Sequence, residues 1–331
     1  MKKAEVRQGR KVSDMLEDMR EGAFQARTLG EAVDIWGKML KGRITIFLGL
    51  AGAMVPAGMR KIIVYLIKRR MIDCLVSTGA NLFHDVNETI GKEHYRGAFN
   101  VNDAELCRLN IDRIYDVFAN DWDFIHTIDF LCVFHKSLNT DNPLSTREYF
   151  YHLGRYLQRK KKEDGIVTAA YRYHVPIYCP SISDSSFGIA CAVEKLQGEK
   201  GVLIDTTQDV VETSLIDKHS KKTAVIYVGG GVPKNFIQQA ELIYSVIRRA
   251  PAKGHDYAIQ ITTDAPHWGG LSGCTLEEAQ SLGKVAQGAD MTTVYADATI
   301  ALPLLVNAVA DTHARRIAQR TPPDVLEMTS K

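Results

Sequence analysis

A lysine follows a helix-stop glycine in the run SGCTLEEAQSLGKV, residues 272–285. Thr275 and Glu278 have capping-box spacing, so the pair reads first as structural. Gly283 then ends the helix and leaves Lys284 at a fixed exit. Most lysines are solvated surface charges. One held between a helix end and a strand is also a candidate amine nucleophile, because a partly desolvated ammonium gives up its proton more readily. Three small-residue loops, GLAGAMVPAG (49–58), STGAN (77–81) and GGGVPKN (229–235), each follow an apolar run. Any one of them alone reads as a tight turn. Together they fit the rule that open α/β sheets bind dinucleotides beyond the carboxyl edge, with phosphate at a helix N-terminus. Asp184 in PSISDSSFG and Asp297 in YADAT are either helix N-caps or contacts to ribose hydroxyls or a cofactor amide. His84 beside Asp85, and His267 beside Trp268, are acid–base candidates, although a lone histidine is more often structural. The ten histidines do not cluster at metal spacings and the six cysteines (74, 107, 132, 179, 191, 274) form no CxxC pair, so no metal site is expected. GxSxG, HExxH and Walker motifs are absent, which argues against the common hydrolases, zincins and P-loop enzymes.

The elements that must position these residues alternate short β-branched runs with amphipathic stretches, as in a largely parallel sheet covered by helices. Strands are expected at 43–49, 73–78, 175–179, 201–205, 223–228, 257–263 and 292–297. A helix over 233–249 carries Phe236, Ala240, Ile243 and Ile247 on one face, with Pro233 in its first turn. Residues 102–165 are rich in aromatics and helix formers and read as a helical insertion. The expected architecture is α/β: a doubly wound, mostly parallel Rossmann-like sheet, with a helical N-terminal arm (1–40) and one dinucleotide-binding domain (41–331). The basic run 159–162 reads as a solvated helix end.

Composition narrows the function classes. The chain has 331 residues, 45% of them hydrophobic and 24% charged, the profile of a folded soluble protein. A net charge of 41 − 39 = +2 gives no global basic field, so no nucleic-acid partner is expected. The apolar stretch 44–59 is too short to span a bilayer and is broken by Gly49, Gly52, Pro56 and Gly58, so no membrane partner is expected either. The basic N-terminus lacks an apolar h-region, and the cysteines sit among apolar neighbours, which reads as cytoplasmic.

The chain resembles the deoxyhypusine synthase family. The resemblance lies in EEAQSLGKV with VYADATIALPLLV (277–285 and 294–306), GGGVPKNFIQQAEL, PSISDSSFG, VPAGMRKIIVYLIKRRMIDCLVSTGAN and DMREGAFQARTLGEAV, and so covers nearly the whole chain. It implies an NAD-dependent transfer of an aminobutyl group from a polyamine to an acceptor amine through an imine on a lysine. Lys284 matches the covalent lysine. Gly52, Ala53, Met54, Val55, Pro56, Thr78, Gly79, Asp184, Gly231, Thr263, Asp297 and Ala298 match NAD contacts, and Ser272, Gly273 and Glu278 match substrate-side positions. The resemblance also implies a homotetramer built as a dimer of dimers. The acceptor is either a small amine, as in homospermidine synthases, or a lysine of a translation factor. An amine oxidoreductase that uses NAD without a covalent lysine, and a non-catalytic ligand-sensing relative, are the competing readings.

Several positions depart from the family pattern. Phe83 and His84 stand where an acidic pair is expected, Ile189 and Leu271 replace acids, Leu282 replaces a tryptophan and Phe236 a histidine. Breaking charge-paired contacts of this kind costs about 2–5 kcal/mol each. Asp85, Asp264 and Glu277 are the expected substitutes, with His84 and Asp85 placed on the substrate side.

Overall fold

The structure is a computed structural model that describes residues 5–138, 142–159 and 164–329; residues 160–162 of the basic run lie outside the described residues. The described strands are β1 (Thr45–Leu50), β2 (Cys74–Ser77), β3 (Tyr95–Arg96), β4 (Ile111–Ile114), β5 (Val117–Asn120), β6 (Ile177–Tyr178), β7 (Thr223–Val228), β8 (His255–Thr262) and β9 (Val285–Tyr295). The chain divides into two compact units, one of residues 1–51, 66–76 and 210–331 and the other of 52–65 and 77–209.

In the first unit the strands run in the order β2-β1-β7-β8-β9. β1 pairs with β7, β7 with β8 and β8 with β9, all parallel. Every residue of β1 and β7 is buried. Successive strand residues point to opposite faces, so helices cover both sides and these strands carry no polar alternation. The helix Phe24–Met39 packs on β8 and β9 and against Ala298–Thr312, and Gly231–Arg248 packs on β1 and β7. The α/β fold is therefore the expected one. No described helix is long and apolar enough to cross a membrane.

The second unit holds a three-stranded antiparallel sheet in the order β3-β5-β4, so the segment 102–165 carries a hairpin as well as helices. Its helical core is aromatic: Phe187 meets Phe83, Tyr149 and Phe150 edge-on, with ring centroids 5.3 to 6.1 Å apart. Edge-to-face packing places the positive ring rim on a negative face.

Three expected elements differ. The run 201–205 is not a strand: it makes one bridge, Leu144 to Ile204, because Gly201 has φ +64° and the chain turns into a helix at Thr206. The helix predicted over 233–249 starts at Gly231; Phe236 and Ala240 are buried but Ile247 is 67% exposed, so only its first turns face the core. β9 begins at Val285, seven residues before expectation, because Val285 pairs with His255 ahead of a register shift.

Candidate active site

The first unit's site is built around the reversal of strand order. β1 neighbours β2 on one side and β7 on the other, so connections diverge at the carboxyl ends of β1 and β7. This is the topological switch point where α/β sheets bind ligands. Gly229 lies there, against Ala51. The turn needs its glycines: Gly229 and Gly231 have φ +74° and +61°, and a Cβ on Gly230 would lie 2.4 Å from Ser272 Cα. A Cβ on Gly231 would meet nothing within 4 Å, so that backbone faces open space at the start of the helix Gly231–Arg248.

Lys284 is held as its flanking residues suggest. The helix Leu276–Ser281 starts with Thr275 Oγ1 accepting the Glu278 N–H at 3.0 Å. It stops where Gly283 N donates to Gln280 O at 3.0 Å and Lys284 N to Ala279 O at 2.9 Å, with Gly283 at φ +70°. That is a Schellman stop, which fixes the Lys284 backbone. The half-buried Lys284 donates from Nζ to Asn235 Oδ1 at 3.2 Å. β9 follows immediately and leads to Asp297.

A second lysine completes this region. Lys234 is fully buried and donates to Gln260 Oε1 at 2.9 Å and to Cys274 O. Gln260 Nε2 in turn donates to Gly229 O at 3.0 Å and Ser272 O at 2.9 Å, tying the glycine turn to the 272–274 loop. Burial lowers the Lys234 ammonium; Cys274 and Glu278 oppose that shift and Lys284 adds to it, so two ammonium groups share one field. Sequence reasoning passed over Lys234. Its one signal is position, since a cation in the first turn opposes the helix dipole.

The other expected residues of this unit fall around these loops. Thr263 is exposed at the end of β8, and Gly273 packs so closely that a Cβ would lie 2.4 Å from Ala265 O. Asp297 is an N-cap: Oδ1 accepts from Thr299 N at 2.7 Å and Thr299 Oγ1 at 2.6 Å, and these bonds hold its carboxyl below the usual range. Ala298 opens the helix that Asp297 caps.

In the second unit, Gly52 (φ +78°), Ala53, Met54, Val55 and Pro56 form a turn. Asn81, 1% exposed, pins it: Oδ1 accepts from Val55 N at 3.2 Å, and Nδ2 donates to Gly52 O at 2.7 Å. Asn81 was legible only as the last residue of STGAN. Thr78 precedes the helix Gly79–Thr89, and a Cβ on Gly79 would lie 2.4 Å from Ser185 Oγ. Asp184 is exposed and is not an N-cap, because Ser185 occupies that position before the helix Ser186–Leu196.

His84 and Asp85 part company. His84 Nδ1 lies 3.0 Å from His94 Nε2, whose Nδ1 lies 2.8 Å from Glu88; burial, with His94 adding to it, takes His84 down to about 4, so it is a neutral imidazole. Asp85 is fully buried. It accepts from Arg60 Nε at 2.7 Å, Ile166 N at 2.7 Å and Val167 N at 2.9 Å. Three hydrogen bonds, from Arg60 and from the helix start at Ile166, take up most of its acceptor capacity, so its contacts in this structure are those of a buried fold anchor. Of the diverged positions, Phe83 and Phe236 are buried, whereas Ile189, Leu271 and Leu282 are exposed.

Known proteins point the same way. A family model for deoxyhypusine synthase matches residues 14–309. A "Probable deoxyhypusine synthase 2" of Methanosarcina acetivorans is 50% identical over 313 residues, covering 93% of this chain and 90% of that one. A protein of the same description from Archaeoglobus fulgidus is 51% identical over 292 residues, 88% of this chain and 95% of that one. A crystal structure described as a "putative deoxyhypusine synthase" from Entamoeba histolytica shares the fold, with a TM-score of 0.62 at 19% identity over 98% of this chain and 99% of that one. With a family model spanning most of its length and relatives this similar, the chain belongs to the deoxyhypusine synthase family.

Proposed function

We propose that this chain is an NAD-dependent transferase that moves an aminobutyl-type group from a polyamine to an acceptor amine through an imine on Lys284. The observation that carries this reading is the placement of Lys284: a Schellman stop fixes its backbone, and its Nζ meets Asn235 on the helix that opens from the glycine turn. NAD suits that turn, since Gly231 leaves open space where first-turn N–H groups lack intrahelical partners. Gly231, Thr263, Asp297 and Ala298 hold the cofactor from the first unit's loops, and Gly52 to Pro56, Thr78, Gly79 and Asp184 keep the family's other contacts.

When bound, NAD would supply the hydride chemistry, as acceptor for oxidation of the donor amine and as source for the final reduction. Lys284, as free amine, adds to the carbon of the oxidised donor, expels the leaving amine and stores the aminobutyl group as an imine. The acceptor amine then displaces Lys284. Asn235 orients the Lys284 amine, while Glu278, Ser272 and Gly273 form the substrate side. Gly231→Ala tests the cofactor assignment: its left-handed φ costs about 1–2 kcal/mol of stability, yet NAD affinity should fall by roughly tenfold or more, because the new methyl enters the open space. Calorimetric titration showing unchanged NAD affinity would contradict it.

The donor pocket is where this chain differs from its family. A polyamine needs a carboxylate or aromatic face for each ammonium that leaves water. Ile189 in the second unit is 51% exposed, and Leu271 and Leu282 in the first are 38% and 50% exposed, so each offers an amine an apolar side chain where the family pattern has a charge or a tryptophan. Asp264, Glu277 and the exposed Trp268 remain as partners. Spermidine is therefore expected to be a poor donor beside an amine with fewer charges, such as putrescine or agmatine, or a longer polyamine with its charges spaced differently, and Ile189→Asp should raise kcat/KM for spermidine by about tenfold, or ~1.4 kcal/mol. Low-micromolar spermidine affinity in the natural chain, unchanged by Ile189→Asp, would refute this. A small-amine acceptor is the second reading, and the homotetramer is proposed on the family resemblance.

A further inference from the structure

Apart from the lysine site, two helices of the second unit bring together a donor set that the reaction does not use. Cys132 and His135 are three residues apart on Asp121–Lys136, and Cys191 and Glu194 are three apart on Ser186–Leu196; these helices pack on each other. Residues three apart share a helix face. His135 Nδ1 lies 3.0 Å from both Glu194 oxygens, and both side chains are 2% exposed. One ligand atom from each of His135, Cys191 and Glu194 lies within 4.8 Å of the others. We propose that His135 Nδ1, the Glu194 carboxylate and Cys191 Sγ form a zinc site that clamps these two helices.

A tetrahedral zinc with bonds of about 2.0–2.3 Å holds its ligand atoms roughly 3.3–3.8 Å apart, so small side-chain adjustments suffice. His135 Nε2 lies 2.7 Å from Tyr149 Oη, the outer hydrogen bond that orients a ligating imidazole. A cavity of about 200 Å3 reaches His135 and Glu194, with Lys136 and Glu199 also on its wall, although Cys191 does not line it. A Glu–His–Tyr hydrogen-bonded chain would use the same imidazole and carboxylate but has no use for a thiol at the third corner. Thiolate with imidazole selects zinc over magnesium or calcium. On binding, the Cys191 thiol proton leaves to solvent, the metal replaces the proton on His135 Nδ1, and Nε2 takes one up to donate to Tyr149; one proton is released per metal.

Cys132 is the internal control, since its Sγ is turned onto the Ala190 carbonyl at 3.8 Å. The test is titration of the chelator-stripped full chain with Co2+, followed by displacement with Zn2+. Expected are a stoichiometric thiolate-to-cobalt charge-transfer band, a higher melting temperature with Zn2+, loss of the band in Cys191→Ser and its retention in Cys132→Ser. Circular dichroism confirms that both variants are folded. No band in the natural chain, a band that survives Cys191→Ser, a band lost in Cys132→Ser, or a melting temperature indifferent to Zn2+ would each overturn the site. None of these readouts depends on Lys284.

Discussion

Lys284→Ala and Lys284→Arg are both expected to abolish aminobutyl transfer, by on the order of 10⁴-fold or more in kcat, while the chain stays folded and binds NAD as before. Removal of a covalent nucleophile has effects on that scale because other groups cannot replace the bond it forms. Arginine retains charge and length but stays protonated, so it cannot form the imine. Stability should change by about 1 kcal/mol or less, because the half-buried side chain makes one hydrogen bond, to Asn235 at 3.2 Å. Thermal melts and NAD titrations beside steady-state rates separate the two effects. Substantial transfer by the arginine variant would rule out covalent catalysis, and a collapsed fold would make Lys284 structural.

The second large effect is on stability. Asp85→Ala should cost about 3–5 kcal/mol, the usual loss when one partner of a buried pair is removed. It takes the nearer carboxylate from the Arg60 guanidinium, 8% exposed, leaving it Glu88 at 3.5 Å and Thr89 Oγ1 at 2.7 Å, and takes the acceptor from the Ile166 and Val167 N–H groups. Asp85→Asn should cost less, since one carbonyl oxygen still accepts, but its amide must face a donor. Urea unfolding should show a lower midpoint with an unchanged slope. A loss below about 1 kcal/mol, with a raised KM for the amine instead, would return Asp85 to the substrate side.

That contrast shows what the sequence could and could not convey. Periodicity and apolar runs located β1, β7 and β8 within a residue or two, because strands buried on both faces have a composition of their own. The run 201–205 has the same composition, yet it is only a bridge, since strand formation also needs a neighbour in register. At the site, Gly283 and Lys284 were legible because a helix stop is local in sequence. The roles of Asn81, Lys234 and Asp85 were not: each depends on a partner brought in by the fold, Gly52 and Val55 for the first, Gln260 and Cys274 for the second, Arg60 and the helix start at Ile166 for the third. The His135, Cys191 and Glu194 donors were missed for the same reason, since motif spacing along one segment does not detect ligands from two helices.

The most direct measurement is reductive trapping. The protein, incubated with NAD and a donor amine and then treated with borohydride, should carry an aminobutyl-type mass increment on one peptide, the one containing Lys284, and Lys284→Ala should carry none. An adduct on another lysine, or turnover of the donor with no adduct in the natural chain, would contradict a mechanism in which Lys284 stores the transferred group.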